Sequence, residues 1–184
     1  HGNLAHVDAT LLPINDEVLE TLANSVDFIF LATPHEASHD WMPILTSGSA
    51  KVLDLSGAFR LKDTQVFEDF YGFPHLQKDS LEQAVYGLAE WYCSDIQPAK
   101  IIAVPGCYPT ASLTALKPLC ENQLLDKAVR PVINAVSGVS GAGRKANLTT
   151  SFFEVSLHAY GVLGHRHTPE IEAYLGTPVI FTPH

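Results

Sequence analysis

Apolar runs and polar breaks alternate along this chain in the rhythm of strand and helix. Residues 26–33 (VDFIFLAT) form a continuous apolar run with β-branched and aromatic members, which reads as a buried parallel strand. Pro34 ends it, and residues 36–46 carry a helical spacing of Ala37, Trp41, Ile44 and Leu45 before the stop Ser47-Gly48-Ser49. Residues 51–55 are the next strand, followed at once by Ser56-Gly57. From Phe59 to Cys93 the pattern is less regular, with Tyr71-Gly72-Phe73-Pro74 as a turn signal. Residues 101–104 read as a buried strand, Pro105-Gly106 as a break, and 108–120 as a helix rich in Ala and Leu. Residues 131–136 are again a strand, 137–145 (SGVSGAGRK) a flexible polar loop, and 155–162 an ambiguous stretch with strand as one reading. A helix over 169–175, with Pro169 in its first turn, and a strand over 179–182 complete the series. This alternation predicts an α/β fold with a mostly parallel sheet.

In such sheets ligands sit outside the carboxyl ends of the strands. The polar motifs of this chain stand just there in the sequence: TPHEAS, LSGAFR, PGCYPT and SGVSGAGRK each follow a strand. Composition narrows the classes further. With 46% hydrophobic and 17% charged residues over 184 positions, a packed core is within reach and disorder is not expected. Eleven Lys+Arg against twenty Asp+Glu give a formal charge of −9, which argues against a nucleic-acid or anionic-membrane partner. No apolar run reaches the length of a membrane span, and HGNLAHVDAT lacks the basic and apolar regions of a secretory signal. Three cysteines, Cys93, Cys107 and Cys120, make no disulfide framework and fit a reducing cytoplasm.

Cys107 stands out among the three. It lies just beyond a strand and at the start of a helix, where backbone N–H groups and the helix dipole stabilise an anion and make a thiolate available. Gly106 lets a ligand approach the backbone, and Pro109 suits the first helical turn. The same N–H groups suit an oxyanion formed when a thiolate attacks a carbonyl. The competing reading is a buried, inert cysteine at a tight turn. Cys120 falls in an apolar helical pattern and reads as core; Cys93 reads as core or partly exposed.

A base for Cys107 is at hand in GHRHTPEIE, which sets His165 and His167 two residues apart. In an extended segment both imidazoles face one way. Glu170 then orients His167 or caps the following helix. A His-x-His zinc site is the rival, but it needs a further ligand such as Cys107, and nothing else clusters at metal-ligand spacing; no metal is expected. His35, directly after a strand, is placed to meet a ligand, whereas His39, His75 and His158 read as surface residues or as satisfying local hydrogen bonds. Ser137, Gly138, Ser140, Gly141 and Gly143 allow a flat ligand to lie on the backbone, and Arg144 and Lys145 suit a carboxylate or phosphate. The loop matches neither a P-loop nor G-x-G-x-x-G, and a mobile surface loop is the plainer alternative. Arg60, just past a strand end, either holds an anionic ligand group or makes a surface ion pair.

Taken together, PGCYPT, SGVSGAGR and HRHTPEI, in this order and spacing, resemble the N-acetyl-gamma-glutamyl-phosphate reductase family, as do FLATPHEAS, DLSGAFR and YGLAEW. The resemblance runs through essentially all of the chain. HRHTPEI also sets it apart from the related aspartate-semialdehyde dehydrogenases, which share the mechanism. The resemblance implies a semialdehyde-dehydrogenase type of architecture: the remainder of a Rossmann-like NADP-binding domain over 1–106 and the opening part of a catalytic, substrate and dimerisation domain over 107–184. It implies NADPH-dependent reduction of N-acetyl-glutamyl 5-phosphate to the semialdehyde in arginine biosynthesis, in the cytoplasm, by an enzyme that self-associates. By similarity, Cys107 is the nucleophile and His167, oriented by Glu170, the acid–base, with His165 the less favoured candidate. Arg60, Arg144 and Lys145 are candidates for gripping phosphate or the substrate carboxylate. Ser137, Gly138, Ser140 and Gly141 lie near nicotinamide or substrate, and Leu31, Ala32, Thr33, Pro34 and His35 line the dinucleotide cleft. The family's amino-terminal strand with its Gly-rich pyrophosphate turn has no counterpart here, and the family continues beyond VIFTPH, so the chain reads as an internal segment. Two further classes stand beside this reading: a cysteine hydrolase or acyltransferase, and a segment that keeps the fold without the activity.

Overall fold

The computed structural model describes residues 8, 10–126, 128–142, 148–151, 159–162 and 164–184. The chain forms two compact units. One holds the described residues of His1–Phe59 together with Gln77–Val104; the other joins Arg60–Leu76 to Pro105–His184.

The first unit is built on a four-stranded sheet of β1 (Phe28–Leu31), β2 (Lys51–Asp54), β3 (Val85–Tyr86) and β4 (Ile101–Ala103), in the order β1-β2-β4-β3 with every pairing parallel. The parallel α/β expectation is therefore met. The apolar runs are short because Pro34, Ser56-Gly57 and Pro105-Gly106 stop them. Strand β4 is buried along its whole length between two neighbours. Strand β1 is a correction: within the apolar run only Phe28–Leu31 is strand, and it is not wholly buried. Phe28 and Phe30 are 58% and 66% exposed. β1 pairs with β2 alone among the described residues, so side chains that a continuous apolar run assigns to a core remain open on that edge.

Helices α1 (Asp16–Ser25) and α2 (His35–Leu45) pack on each other. Helix α1 starts where the Asn15 side chain accepts the N–H of Val18 at 2.9 Å, and turns Leu19 and Ala23 inward. Leu19 joins Leu31, Met42, Leu45, Val52, Phe59 and Ile101 in the core. The stretch that reads as irregular contains four short elements. Besides β3 these are α3 (Thr64–Tyr71), α4 (Lys78–Gln83) and α5 (Ala89–Ile96). Asp63 caps α3 by accepting from the N–H groups of Gln65 and Val66. Gly72, at φ +80°, closes it in the left-handed conformation that the Tyr71–Pro74 turn signal reflects.

The second unit contains α3, α6 (Cys107–Glu121), α7 (His167–Leu175) and a parallel pair of strands, β5 (Val132–Ala135) and β6 (Ile180–Pro183). Helices α6 and α7 pack together. In α3, Phe67 is fully buried and its ring meets Tyr71, Phe73 and His75 at 4.7, 5.0 and 4.8 Å between centroids. His75 is thus buried, against the surface reading. His39 is buried too, and keeps the local hydrogen bond, to Asp40 Oδ1 at 2.7 Å. His158 lies outside the described residues. Residues 139–142 form a single 3₁₀ turn within the predicted polar loop. Of the ambiguous stretch, residues 159–162 are not strand and the rest lies outside the described residues. Cys120 is half-buried rather than core, because it lies in the last turn of α6; Cys93 is exposed. No helix among the described residues is long and apolar enough to cross a membrane.

Candidate active site

Cys107 opens helix α6 and is exposed, so the buried-cysteine reading does not hold. Gly106 is the residue before the helix, with an ordinary φ of −67°. Glycine is needed here for space. A β-carbon at Gly106 would lie 2.4 Å from His167 Cε1, 2.9 Å from His167 Nδ1 and 3.1 Å from Arg60 Nη1. The imidazole of His167 therefore lies directly on the backbone that leads into Cys107.

The centre of the arrangement is Glu170. Its carboxylate is fully buried on the first turn of α7 and collects three donors. The Gly106 N–H donates to Oε1 at 3.1 Å, His167 Nδ1 lies 3.1 Å from Oε2, and Arg60 Nη1 lies 3.5 Å from the same oxygen. Burial works to raise this carboxyl. The His167 hydrogen bond, the Arg60 charge and the Gly106 N–H outweigh it and hold the group below its ordinary value of 4.5. An ionised carboxylate only accepts, so a proton sits on His167 Nδ1, and Nε2 is the ring nitrogen left outside this bond. Arg60 makes no surface ion pair: its side chain is buried against Glu170, and its carbonyl accepts from the Tyr174 hydroxyl at 2.6 Å.

His165 stands beside His167, with ring centroids 4.9 Å apart. The segment is not extended as expected. Arg166 is helical at φ −58°, ψ −18°, and the two rings meet through a turn. The His167 N–H donates to His165 Nδ1 at 3.3 Å, so His165 closes the first turn of α7. Its ring is wedged among Tyr108, Tyr160 and Phe181. Burial, and then the neighbouring His167 and Arg166, lower it from 6.5 to about 4. The consequence for stability has a definite sign. Between these values the unfolded chain takes up a proton that the folded chain refuses, so stability is present above about pH 6.5 and is lost as pH falls toward 4. Thermal unfolding across that interval should show this slope, and His165→Asn should flatten it.

Two tyrosines complete the site and were not singled out by sequence pattern. Tyr108 adjoins Cys107, is nearly buried, and donates its hydroxyl hydrogen to Ser137 Oγ at 2.8 Å. Tyr160 OH lies 3.0 Å from the same Tyr108 oxygen. Partial burial and then the hydrogen bond with Tyr108 push Tyr160 up to about 12, against the opposing side-chain hydrogen bond with Ser137. Adjacency to Cys107 is the one signal that marks Tyr108; Tyr160 carries none.

Ser137, Gly138, Ser140 and Gly141 form an exposed turn after β5. Arg144 and Lys145 lie outside the described residues. Ala32, Thr33, Pro34 and His35 belong to the first unit, where the chain leaves the carboxyl end of β1 and enters α2. Ala32 and Pro34 are exposed there, and Thr33 Oγ1 pairs with Ser38 Oγ at 2.7 Å. An exposed turn from a parallel strand into a helix N-terminus suits a dinucleotide. Among the described residues no three His, Cys, Asp or Glu side chains gather as metal ligands.

Comparison with known proteins places these features in context. Residues 5–99 match the family model of the semialdehyde dehydrogenase NAD binding domain, and residues 107–184 that of the semialdehyde dehydrogenase dimerisation domain. An N-acetyl-gamma-glutamyl-phosphate reductase of Alteromonas mediterranea is 82% identical over 184 residues, which are 100% of this chain and 55% of the relative. The enzyme of the same name from Pseudoalteromonas atlantica is 69% identical over 185 residues, covering 100% of this chain and 54% of the relative. That from Yersinia pseudotuberculosis is 58% identical over 178 residues, 97% of this chain and 53% of the relative. The chain thus spans about half the length of the curated relatives it matches. Among solved structures, aspartate semialdehyde dehydrogenase II from Vibrio cholerae aligns with a TM-score of 0.54 at 18% identity, over 88% of this chain and 51% of that one, a likeness of fold.

Proposed function

The chain belongs to the semialdehyde dehydrogenase family, and on that footing we propose that it carries the cysteine chemistry of an NADP-dependent N-acetyl-gamma-glutamyl-phosphate reductase of arginine biosynthesis. The observation that carries this reading is the Glu170-centred cluster beside Cys107, on a chain 82% identical to a relative of that name. In the proposed division, 1–106 contribute to the cofactor domain and 107–184 to the catalytic and self-associating domain of a cytoplasmic enzyme.

The Cys107 thiolate attacks the carbonyl carbon of N-acetyl-glutamyl 5-phosphate; the carbon–oxygen bond to phosphate breaks, and a thioester remains on Cys107. Ala32–His35 in the first unit and the Ser137–Gly141 turn in the second are the residues proposed to meet NADPH, which would supply a hydride to that carbon when bound. His167, having taken the Cys107 thiol proton on Nε2, donates it to the oxygen of the resulting thiohemiacetal and later removes it, whereupon the carbon–sulfur bond breaks to free the aldehyde and the thiolate. Glu170 keeps the His167 proton on Nδ1, which leaves Nε2 for this exchange. Arg60, which pairs with Glu170, is proposed together with Arg144 and Lys145 to meet phosphate or the substrate carboxylate.

Differential alkylation tests the nucleophile. At pH 7, iodoacetamide should modify Cys107 faster than Cys93, which is also exposed, and faster than half-buried Cys120. Equal rates at Cys107 and Cys93 would remove the nucleophile assignment. In a chain of the relatives' full length, phosphate-dependent reduction of NADP⁺ by N-acetyl-glutamate semialdehyde should then be seen. Release of acid without cofactor reduction would mark a hydrolase or acyltransferase instead.

A further inference from the structure

Arg60 belongs to neither a helix nor a strand; it stands in the turn between β2 and α3, so no regular backbone fixes it. Helix α7 takes hold of it at two points. The buried side chain brings Nη1 to 3.5 Å from Glu170 Oε2. The backbone carbonyl accepts the Tyr174 hydroxyl hydrogen at 2.6 Å, toward the short end of the range for O–H···O bonds. His167, Glu170 and Tyr174 follow one another at helical spacings of three and four, so they share one face of α7. The last turn of that helix is itself tied down. The Tyr174 carbonyl accepts from Lys117 Nζ at 3.1 Å, and Lys117 lies on α6, the helix that opens at Cys107.

Two donors share one carboxylate oxygen at the other end of this face. Glu170 Oε2 has Arg60 Nη1 at 3.5 Å and His167 Nδ1 at 3.1 Å, both longer than the about 2.7–2.9 Å of a close charge-assisted bond. Oε1 already takes the Gly106 N–H. A guanidinium that closed on this carboxylate would draw Oε2 away from His167, because its planar fork favours direct pairing with a carboxylate. Where Arg60 stands therefore decides how much of Oε2 is left to hold the His167 hydrogen. We infer that Tyr174 is a positioning residue: its hydroxyl ties the Arg60 backbone to α7 one turn beyond Glu170, and so keeps the guanidinium where Oε2 stays bonded to His167. The inference deepens the proposed function and rests on His167 as its acid–base.

Tyr174→Phe, which keeps the ring and removes the hydroxyl, is the test, in a chain of the relatives' full length. It should lower kcat for phosphate-dependent NADP⁺ reduction about tenfold, the scale of one lost hydrogen bond, and change KM less than about twofold. Lys117→Met removes the other tie to Tyr174 and should leave kcat within about twofold. In the His167→Asn background, Tyr174→Phe should cost less than about twofold, because it acts through a ring already removed. A second readout is independent of turnover. In the chain with ¹⁵N-labelled histidine, the Nδ1–H proton signal that disappears in His167→Asn should move upfield in Tyr174→Phe and stay in place in Lys117→Met. An unchanged kcat, a loss that persists in the His167→Asn background, an equal loss in Lys117→Met, or a rise in KM at constant kcat would each overturn the positioning role while leaving His167 its part. Full activity in His167→Asn would overturn the acid–base assignment and the inference together. If the chain reduces no NADP⁺ at all, the reductase reading fails by itself, and the Nδ1–H signal decides: moved by Tyr174→Phe, it upholds the tie between Tyr174 and the His167–Glu170 bond; unmoved, it overturns it.

Discussion

Glu170→Gln is expected to destabilise the second unit by about 3–5 kcal/mol, the usual cost of breaking a buried charge pair from one side. The carboxylate has two acceptor oxygens and three donors around it, all within a site closed to water. Glutamine preserves the volume but turns one acceptor into an NH₂ group. Whichever way the amide is placed, a donor then faces a donor: the Gly106 N–H on one side, or His167 and Arg60 on the other. The substitution also removes the negative charge that offsets Arg60, a residue whose side chain is itself buried. The pH dependence separates charge from packing. A carboxyl held below its ordinary 4.5 in the folded state contributes stability that is present above that value and lost as pH falls through the depressed one. Glu170→Gln lacks this contribution at every pH. The gap in unfolding free energy between parent and variant, measured by denaturant titration, should therefore be widest at pH 7 and should narrow below about pH 4.5. A gap independent of pH would mean that the loss is one of shape alone.

Much of this was legible along the chain wherever an apolar run and its punctuation agree. β2, β4 and the start of α6 fall at Asp54, Ala103 and Cys107 because Ser56-Gly57 and Pro105-Gly106 leave the backbone no regular continuation. α1 and α3 escaped notice because each is short and is started by one capping side chain, Asn15 or Asp63. The exposure of Phe28 and Phe30 could not be read at all, since a strand's neighbours are set by topology rather than by its own composition. The candidate site divides in the same way. Cys107, His165, His167 and Glu170 are visible as residue types in two short motifs. Their meeting is a long-range event: Gly106 reaches Glu170 across 64 positions. Arg60 reads as an anion grip or a surface cation because nothing near it in sequence announces a buried carboxylate. Tyr160 is one aromatic among several until its hydroxyl is seen on Tyr108.

His167→Asn is expected to slow turnover by about 10²–10⁴-fold, the usual worth of a positioned acid–base group. Two histidines compete for this part, and their hydrogen bonds tell them apart. Each uses Nδ1 within the protein, but in opposite senses. His167 Nδ1 gives its hydrogen to a carboxylate, which leaves Nε2 outside that bond, on a ring that lies over the backbone into Cys107. His165 Nδ1 accepts the His167 N–H, so its Nε2 bears the hydrogen and no lone pair is left to take another. The wedge of rings around His165 also keeps it neutral down to about pH 4, so near neutrality it has no second proton to give. His165→Asn retains a side-chain oxygen for the cap and should cost less than about tenfold, in keeping with a lost packing contact rather than a lost proton carrier. The comparison is made on kcat for phosphate-dependent NADP⁺ reduction, in a chain of the relatives' full length, with Cys107 alkylation as a check that the site is assembled. If His165→Asn brings the large loss and His167→Asn does not, the proton moves through the other ring, and Glu170 serves to pair Arg60 rather than to set the tautomer of the acid–base.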